Sequence, residues 1–289
     1  MAAPLVVGVD GSDAARRALE WAVDEAVRHG AALRIVYASL WEYYDGSLPA
    51  GSPPVPAGRG QAEHIVASAA ELAQARGPRL KLTADILAED TVPGLLRAGR
   101  DSFAVVVGDR GRGRLPLPLG STALAVASRA QGPVIVVRGG GRNTAGGFDR
   151  VVLGVGETGE RGAAVGFAFR EASVRGGRLD AIRAWRSPER GVATHAHTLA
   201  GAADPRMRDA EWALQHAVKD SVQRFPDVDV RRVTAEGPAR NALLLASDEA
   251  DLVVVGARRR TGQSGIHLGH VNHDVLQHAS CPVAVVPER

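Results

Sequence analysis

At 289 residues, with 45% apolar and 23% charged side chains, the chain has the length of about two soluble domains able to bury full cores. Lys and Arg at 35 against Asp and Glu at 32 leave a net charge of +3, too little to argue for nucleic-acid binding. The single Cys281 excludes an internal disulfide framework, and no apolar run approaches the roughly 18 residues of a membrane span, so a reducing, cytoplasmic setting without membrane contact is expected.

In chain order, residues 5–9 read as a short apolar strand that ends in Asp10-Gly11-Ser12-Asp13. Residues 14–29 follow as a helix, with Ala18, Trp21, Ala22, Glu25 and Ala26 at helical spacing and Gly30 as the stop. Residues 33–38 form a second strand, and the Gly, Ser and Pro of 45–60 a loop. Trp41, Tyr43 and Tyr44 lie just ahead of it and are expected to pack beneath it. A helix over 61–76, a strand over 80–87 and a helix over 92–100 with Pro93 in its first turn come next.

The chemistry is concentrated after the fourth strand, 103–107, whose uncharged β-branched run reads as buried on both faces. Gly108, Gly111 and Gly113 leave backbone amides free to turn toward a ligand, while Arg110, Arg112 and Arg114 alternate with them as donors suited to phosphate oxygens. The loop closes on Gly120-Ser121-Thr122, where Ser121 or Thr122 is expected to cap the helix that follows, and a helix N-terminus attracts anions. The local pattern also fits a plain strand-to-helix loop with glycines at its turns and arginines in water. It is neither a Walker loop, since no Gly-Lys-Ser/Thr follows, nor the closely spaced dinucleotide fingerprint. A strand over 134–137 ends this half.

The pattern then repeats. Val151-Val152-Leu153-Gly154-Val155-Gly156 stands 146 residues after Val6 to Asp10, Phe167 to Ala172 aligns with Trp21 to Ala26, and Leu252 to Gly256 with Ala104 to Gly108. Cys281-Pro282 with the strand 283–286 matches Gly132-Pro133 with 134–137. This offset marks a duplication joined by the Gly-rich bridge 138–147. The expected domains are 1–140 and 148–289, each α/β with an open parallel sheet and right-handed crossovers. In such sheets the ligand site lies beyond the strand C-termini where strand order reverses, and Asp10 and Gly108 end at that same edge.

With those residues in view, the chain resembles the tandem members of the universal stress protein family over essentially its full length. The resemblance rests on Val7-Gly8-Val9-Asp10-Gly11-Ser12, Trp21-Ala22, Gly108-x-x-Gly111, Gly120-Ser121 and the Gly-Pro before the last strand. It implies two Rossmann-like domains that pack through their last strands, 134–137 against 283–286, as an intramolecular pseudo-dimer. It also leaves room for two such chains to pair as a homodimer. It further implies a cytoplasmic, regulatory, stress-response protein that binds ATP, with Mg2+ as its companion, and signals to an unidentified protein partner. The cofactor site carried over comprises Asp10, Gly11 and Ala38, then Gly108, Arg110, Gly111 and Gly113, and finally Gly120, Ser121 and Thr122. The alternative is a nucleotide-free scaffold or interaction protein with both sites degenerate.

Two departures bear on this. The spacer between Gly111 and Gly120 holds eight residues, one fewer than the family pattern, and Pro116 and Pro118 in it offer no amide. In the second half Gly156 replaces the aspartate, Arg259 stands where the second glycine belongs, and His270 replaces the serine, so ATP is not expected there. Catalysis is not expected beyond weak ATP hydrolysis: the sequence has no nucleophile elbow and no His-Glu-x-x-His, and Glu89-Asp90 and Asp248-Glu249 read as solvated acids. No metal site is expected from His267, His270, His273 and His278, although His270 and Asp274 have helical i, i+4 spacing. His195 and His197 are assigned no role, and Cys281 is expected as a packed, inert thiol.

Overall fold

A computed structural model describes residues 3–40, 58–111, 119–156, 162–186, 204–259 and 266–288. The first half contains β1 (Leu5–Gly8), α1 (Asp13–His29), β2 (Leu33–Ala38), α2 (Arg59–Arg76), β3 (Leu82–Leu87), α3 (Thr91–Ala98), β4 (Ala104–Gly108), α4 (Ser121–Arg129) and β5 (Val134–Val137). A one-turn helix α5 (Gly141–Thr144) lies in the bridge. The second half contains β6 (Arg150–Gly154), α6 (Ala163–Arg175), β7 (Arg178–Trp185), α7 (Pro205–Arg224), β8 (Val230–Glu236), α8 (Ala239–Ser247), β9 (Leu252–Arg259), β10 (Ile266–His267), α9 (His270–His278) and β11 (Val283–Glu288).

Among the described residues, ten strands form one continuous sheet in the order β3-β2-β1-β4-β5-β11-β9-β6-β7-β8, and β10 pairs antiparallel with β9 off that path. Every pair within the ten is parallel except β5–β11, where Val134, Ile135 and Val136 lie opposite Val285, Ala284 and Val283. This join is the one expected between the last strands, and it makes the halves two copies of one 3-2-1-4-5 topology related by a pseudo-twofold. The β-branched runs Val105–Val107 and Val253–Val255 are buried because helices cover both faces. One core gathers Trp21, Ala22 and Ile65 with Phe167, Phe169 and Leu214; the other gathers Leu95 and Val126 with Leu243 and Val275. Both cores run across the two halves.

α1 and α6 end alike, in Gly30 at φ +58° and Gly176 at φ +60°, the left-handed stop that glycine adopts without strain. Several element ends differ from the sequence reading. Helix α2 starts at Arg59 rather than residue 61, so it takes in the end of the expected loop, and β3 starts at Leu82 rather than residue 80. The bridge is more than a linker. Asn143 is buried and its amide donates to the carbonyls of Ser247, Asp248 and Ala250 at 3.2, 3.2 and 2.9 Å, satisfying the end of α8.

Candidate functional site

The ends of β1 and β4 lie side by side where strand order turns, β1 leading on to β2 and β4 to β5. A cavity of about 340 Å³ opens there, lined by Gly8, Val9 and Asp10 after β1, Val36 and Ala38 of β2, and Val107, Gly108, Arg110 and Gly111 after β4. Gly120, Ser121, Thr122 and Ala123 at the start of α4, with Ala15, Thr91 and Leu95, complete the lining. That size falls among small-molecule sites.

Local chemistry explains the shape. Asp10 Oδ1 accepts from the Ser12 amide at 2.9 Å, and the Ser12 hydroxyl then caps α1 by accepting from Ala15 N at 3.1 Å. Gly11 supplies the left-handed residue of this turn, at φ +78°, but does not line the cavity. Gly108 must be glycine: a Cβ there would lie 2.7 Å from the carbonyl carbon and oxygen of Ala14 in α1. A Cβ on Gly111 would come within 2.9 Å of Asp10 Oδ2, so the missing side chain lets the loop close over the carboxylate. Gly120 N donates to Asp109 O at 2.7 Å and ties the base of the loop shut.

The cap of α4 differs from expectation. Gly120 is the N-cap, with no side-chain cap, and Ser121 and Thr122 are already helical. Because Leu124 N is the amide that returns to Gly120 O, the amides of Ser121, Thr122 and Ala123 have no acceptor within the helix, and these three residues line the cavity. Among the described residues no side chain caps this end, which suits an anion better than a serine cap would. Arg110 reaches the cavity from an exposed position, with Nε 3.4 Å from Asp109 Oδ2. Ala38 O accepts from the Thr91 hydroxyl at 2.9 Å, which fixes the β2 end of the cavity. Gly113, Arg112, Arg114, Pro116, Pro118, Trp41, Tyr43, Tyr44, His195 and His197 lie outside the described residues.

Sequence reasoning therefore placed Asp10, Ala38, Gly108, Arg110, Gly111, Gly120, Ser121 and Thr122 at one cavity. It missed Gly8, Thr91 and Leu95, which line the same space. Only the helical spacing of Thr91 and Leu95 could have put both on the face of α3 that meets the strand ends.

These features meet independent likenesses. The profile of the Universal stress protein family matches residues 1–138 and 147–287. The chain belongs to this family. A universal stress protein of Mycobacterium tuberculosis is 32% identical over 314 residues, covering 97% of this chain and 94% of that one. One from Mycolicibacterium smegmatis is 32% identical over 296 residues, covering 99% and 97%. The solved structure of a universal stress protein from Archaeoglobus fulgidus matches with a TM-score of 0.72 over 98% of both chains, at 17% identity, a likeness of fold.

The second universal stress protein unit keeps the frame and alters the site. Gly154 packs against Leu243 as Gly8 packs against Leu95. Yet Gly156 stands in the place of Asp10, and its carbonyl accepts from the Arg183 guanidinium. Glu288, at the end of β11, accepts from Ala163 N at 2.8 Å and Ala164 N at 3.2 Å and so occupies the N-terminus of α6. Its carboxylate would collide with a Cβ on Gly256, the counterpart of Gly108, at 2.8 Å. The chain's own anion thus lies between the glycine and the helix.

The histidines of α9 do not gather into a cation site: Asp274 Oδ2 pairs with Arg240 at 3.3 Å, and His273 Nε2 lies 3.4 Å from the Gln277 amide. Cys281 is fully buried and its thiol is pushed well above the ordinary range, chiefly by burial. Glu89 pairs with Arg97, Asp248 accepts from the Ser280 hydroxyl at 2.6 Å, and none of Glu89, Asp90, Asp248 and Glu249 lines the cavity. Among the described residues no helix is long and apolar enough to cross a membrane.

Proposed function

We propose that this universal stress protein binds ATP at one site per chain, in its first half, and uses it as a regulatory ligand in the cytoplasm. The observation that carries the reading is the convergence of the Asp10 carboxylate, the Gly108–Gly111 turn and the glycine-capped N-terminus of α4 on one cavity. Asp10 would take the ribose hydroxyls, the β2 end near Ala38 the base, and the α4 amides with Arg110 the phosphates, whose charge Mg2+ would share. Among the described residues the lining holds no histidine, lysine or cysteine, and its carboxylate there, Asp10, is engaged with the Ser12 amide. Retention of nucleotide fits that lining better than rapid turnover. Bound ATP would add its phosphates beside the Gly108–Gly111 turn and the start of α4 and so present a changed surface to a protein partner. In the second half, Glu288 and Arg183 support a structural role.

Native mass spectrometry of protein purified without nucleotide, then titrated with ATP and magnesium, tests this. The expected result is one ATP per chain. Two per chain would overturn the reading of the second half, and none at millimolar ATP would favour a nucleotide-free scaffold.

A further inference from the structure

Far from the cavity, α1 and α6 cross at the pseudo-twofold and bury a charged cluster between the halves. Glu25 and Glu171 are both fully buried. Arg175 of α6 clips the two carboxylates on one side, with Nη2 donating to Glu25 Oε2 at 2.8 Å and Nη1 donating to Glu171 Oε2. Arg28 Nη1 adds a bond to Glu25 Oε2 at 3.1 Å. On the other side a single atom, His29 Nε2, faces both remaining oxygens, Glu25 Oε1 at 3.3 Å and Glu171 Oε1 at 3.2 Å. Phe103, whose ring centroid is 4.6 Å from that of His29, stacks on Phe167 and walls the cluster off. Among the described residues, the charged groups facing this point are Glu25, Arg28 and His29 from α1 and Glu171 and Arg175 from α6, and Arg170 lies over the Phe103 ring at 5.6 Å.

One imidazole N–H can complete a hydrogen bond to only one of two oxygens, and Glu171 Oε1 makes no directional hydrogen bond. Two guanidinium groups and the imidazolium already outnumber the two carboxylates, so a divalent cation has no negative charge left to neutralise, whereas a proton can settle between two acids. We infer that this cluster is a proton-binding joint through which pH sets how tightly the two halves pack. Burial would by itself lower His29, but its close contacts with the Glu171 and Glu25 carboxylates and then their charges raise it to about 9. Burial first, and the nearby Glu25 charge second, raise Glu171 to about 7. The two steps belong to the cluster as a whole.

Both act in one direction. The folded chain holds the His29 proton up to about pH 9, whereas the unfolded chain releases it near 6.5, so that stabilisation is complete below 6.5 and lost as pH rises through 9. A raised carboxyl likewise contributes fully below its ordinary 4.5, and that stabilisation falls away as pH rises to about 7. Burial would by itself raise Glu25, but the Arg175 charge, the contacts with His29 and Glu171 and the His29 charge together hold it below the ordinary range, so it acts only in strong acid.

The test is the pH dependence of Tm for the full chain and for His29→Gln and Glu171→Gln, with the His29 imidazole followed by NMR and assigned by its loss in H29Q. Wild type should lose roughly 5 °C or more between pH 6 and 9, and H29Q should lose much less of it. E171Q should match wild type near pH 4, diverge from it between about pH 4.5 and 7, and move the His29 midpoint down by at least one pH unit. A wild-type His29 midpoint near 6.5, or three parallel Tm profiles, would overturn the inference. The NMR midpoint decides the matter even if a variant is too unstable for the Tm series.

Discussion

Replacing Asp10 by Asn separates the charge of the site from its shape. The Asn side chain keeps an Oδ1 acceptor for the Ser12 amide, now at 2.9 Å, and its size is unchanged beside Gly111, where a Cβ would lie 2.9 Å from Asp10 Oδ2. The turn that caps α1 should therefore persist, and stability should stay within about 0.5 kcal/mol of wild type, as for an innocuous substitution. What disappears is a charged acceptor for the ribose hydroxyls, and hydrogen bonds to charged groups contribute about 1.5–3 kcal/mol. A loss of that size weakens ATP binding roughly 10- to 150-fold. Isothermal titration calorimetry of both proteins with ATP and magnesium, alongside thermal melts, gives both numbers. Affinity within threefold of wild type, with the fold intact, would refute the assignment of Asp10 to the nucleoside.

Other perturbations probe the frame around the site. Gly108→Ala would press a methyl group to within 2.7 Å of the Ala14 backbone; overpacking of this kind costs about 1–3 kcal/mol, read by urea denaturation, and ATP binding should fall with it. Arg175→Ala would leave Glu25 and Glu171 in the core with the shared His29 imidazolium and, on Glu25 alone, Arg28, and should cost about 3–5 kcal/mol, or roughly 5–8 °C in Tm by calorimetry. Cys281, fully buried with its thiol pushed upward by burial, should resist a disulfide-exchange reagent in the native protein and react at once in guanidinium.

Much of the fold was legible because it is written in patterns that act locally. The runs Val105–Val107 and Val253–Val255 announce strands covered on both faces, and the near-constant offset between halves announces the duplication. The candidate site was legible where backbone geometry dictates residue type, as at Gly108 against α1 and Gly111 against Asp10. It was not legible where tertiary packing chooses among equivalent residues. Nothing in the sequence around Thr91 distinguishes it from any helix-starting threonine until α3 meets Ala38. Serine at 121 looked like a cap by composition, yet the turn placed Gly120 there. Glu25 fell on the helical spacing of the buried face of α1, but its partner Arg175 lies 150 residues away, and no local rule connects them.

The joint at the pseudo-twofold also shows what fusing two copies makes available. In a dimer of identical chains every substitution at the axis appears twice, so the two crossing ion pairs must be the same. Here His29 reaches across to Glu171 while its counterpart Arg175 reaches across to Glu25, one pair carrying a cation that can let go of its proton and the other a cation that cannot. A single chain can thus hold a permanent tie and a releasable one side by side. The same freedom allows Gly156 in the second half where the first has Asp10, with no change to the first cavity. Two unlike copies in one chain turn a symmetric contact into a division of labour.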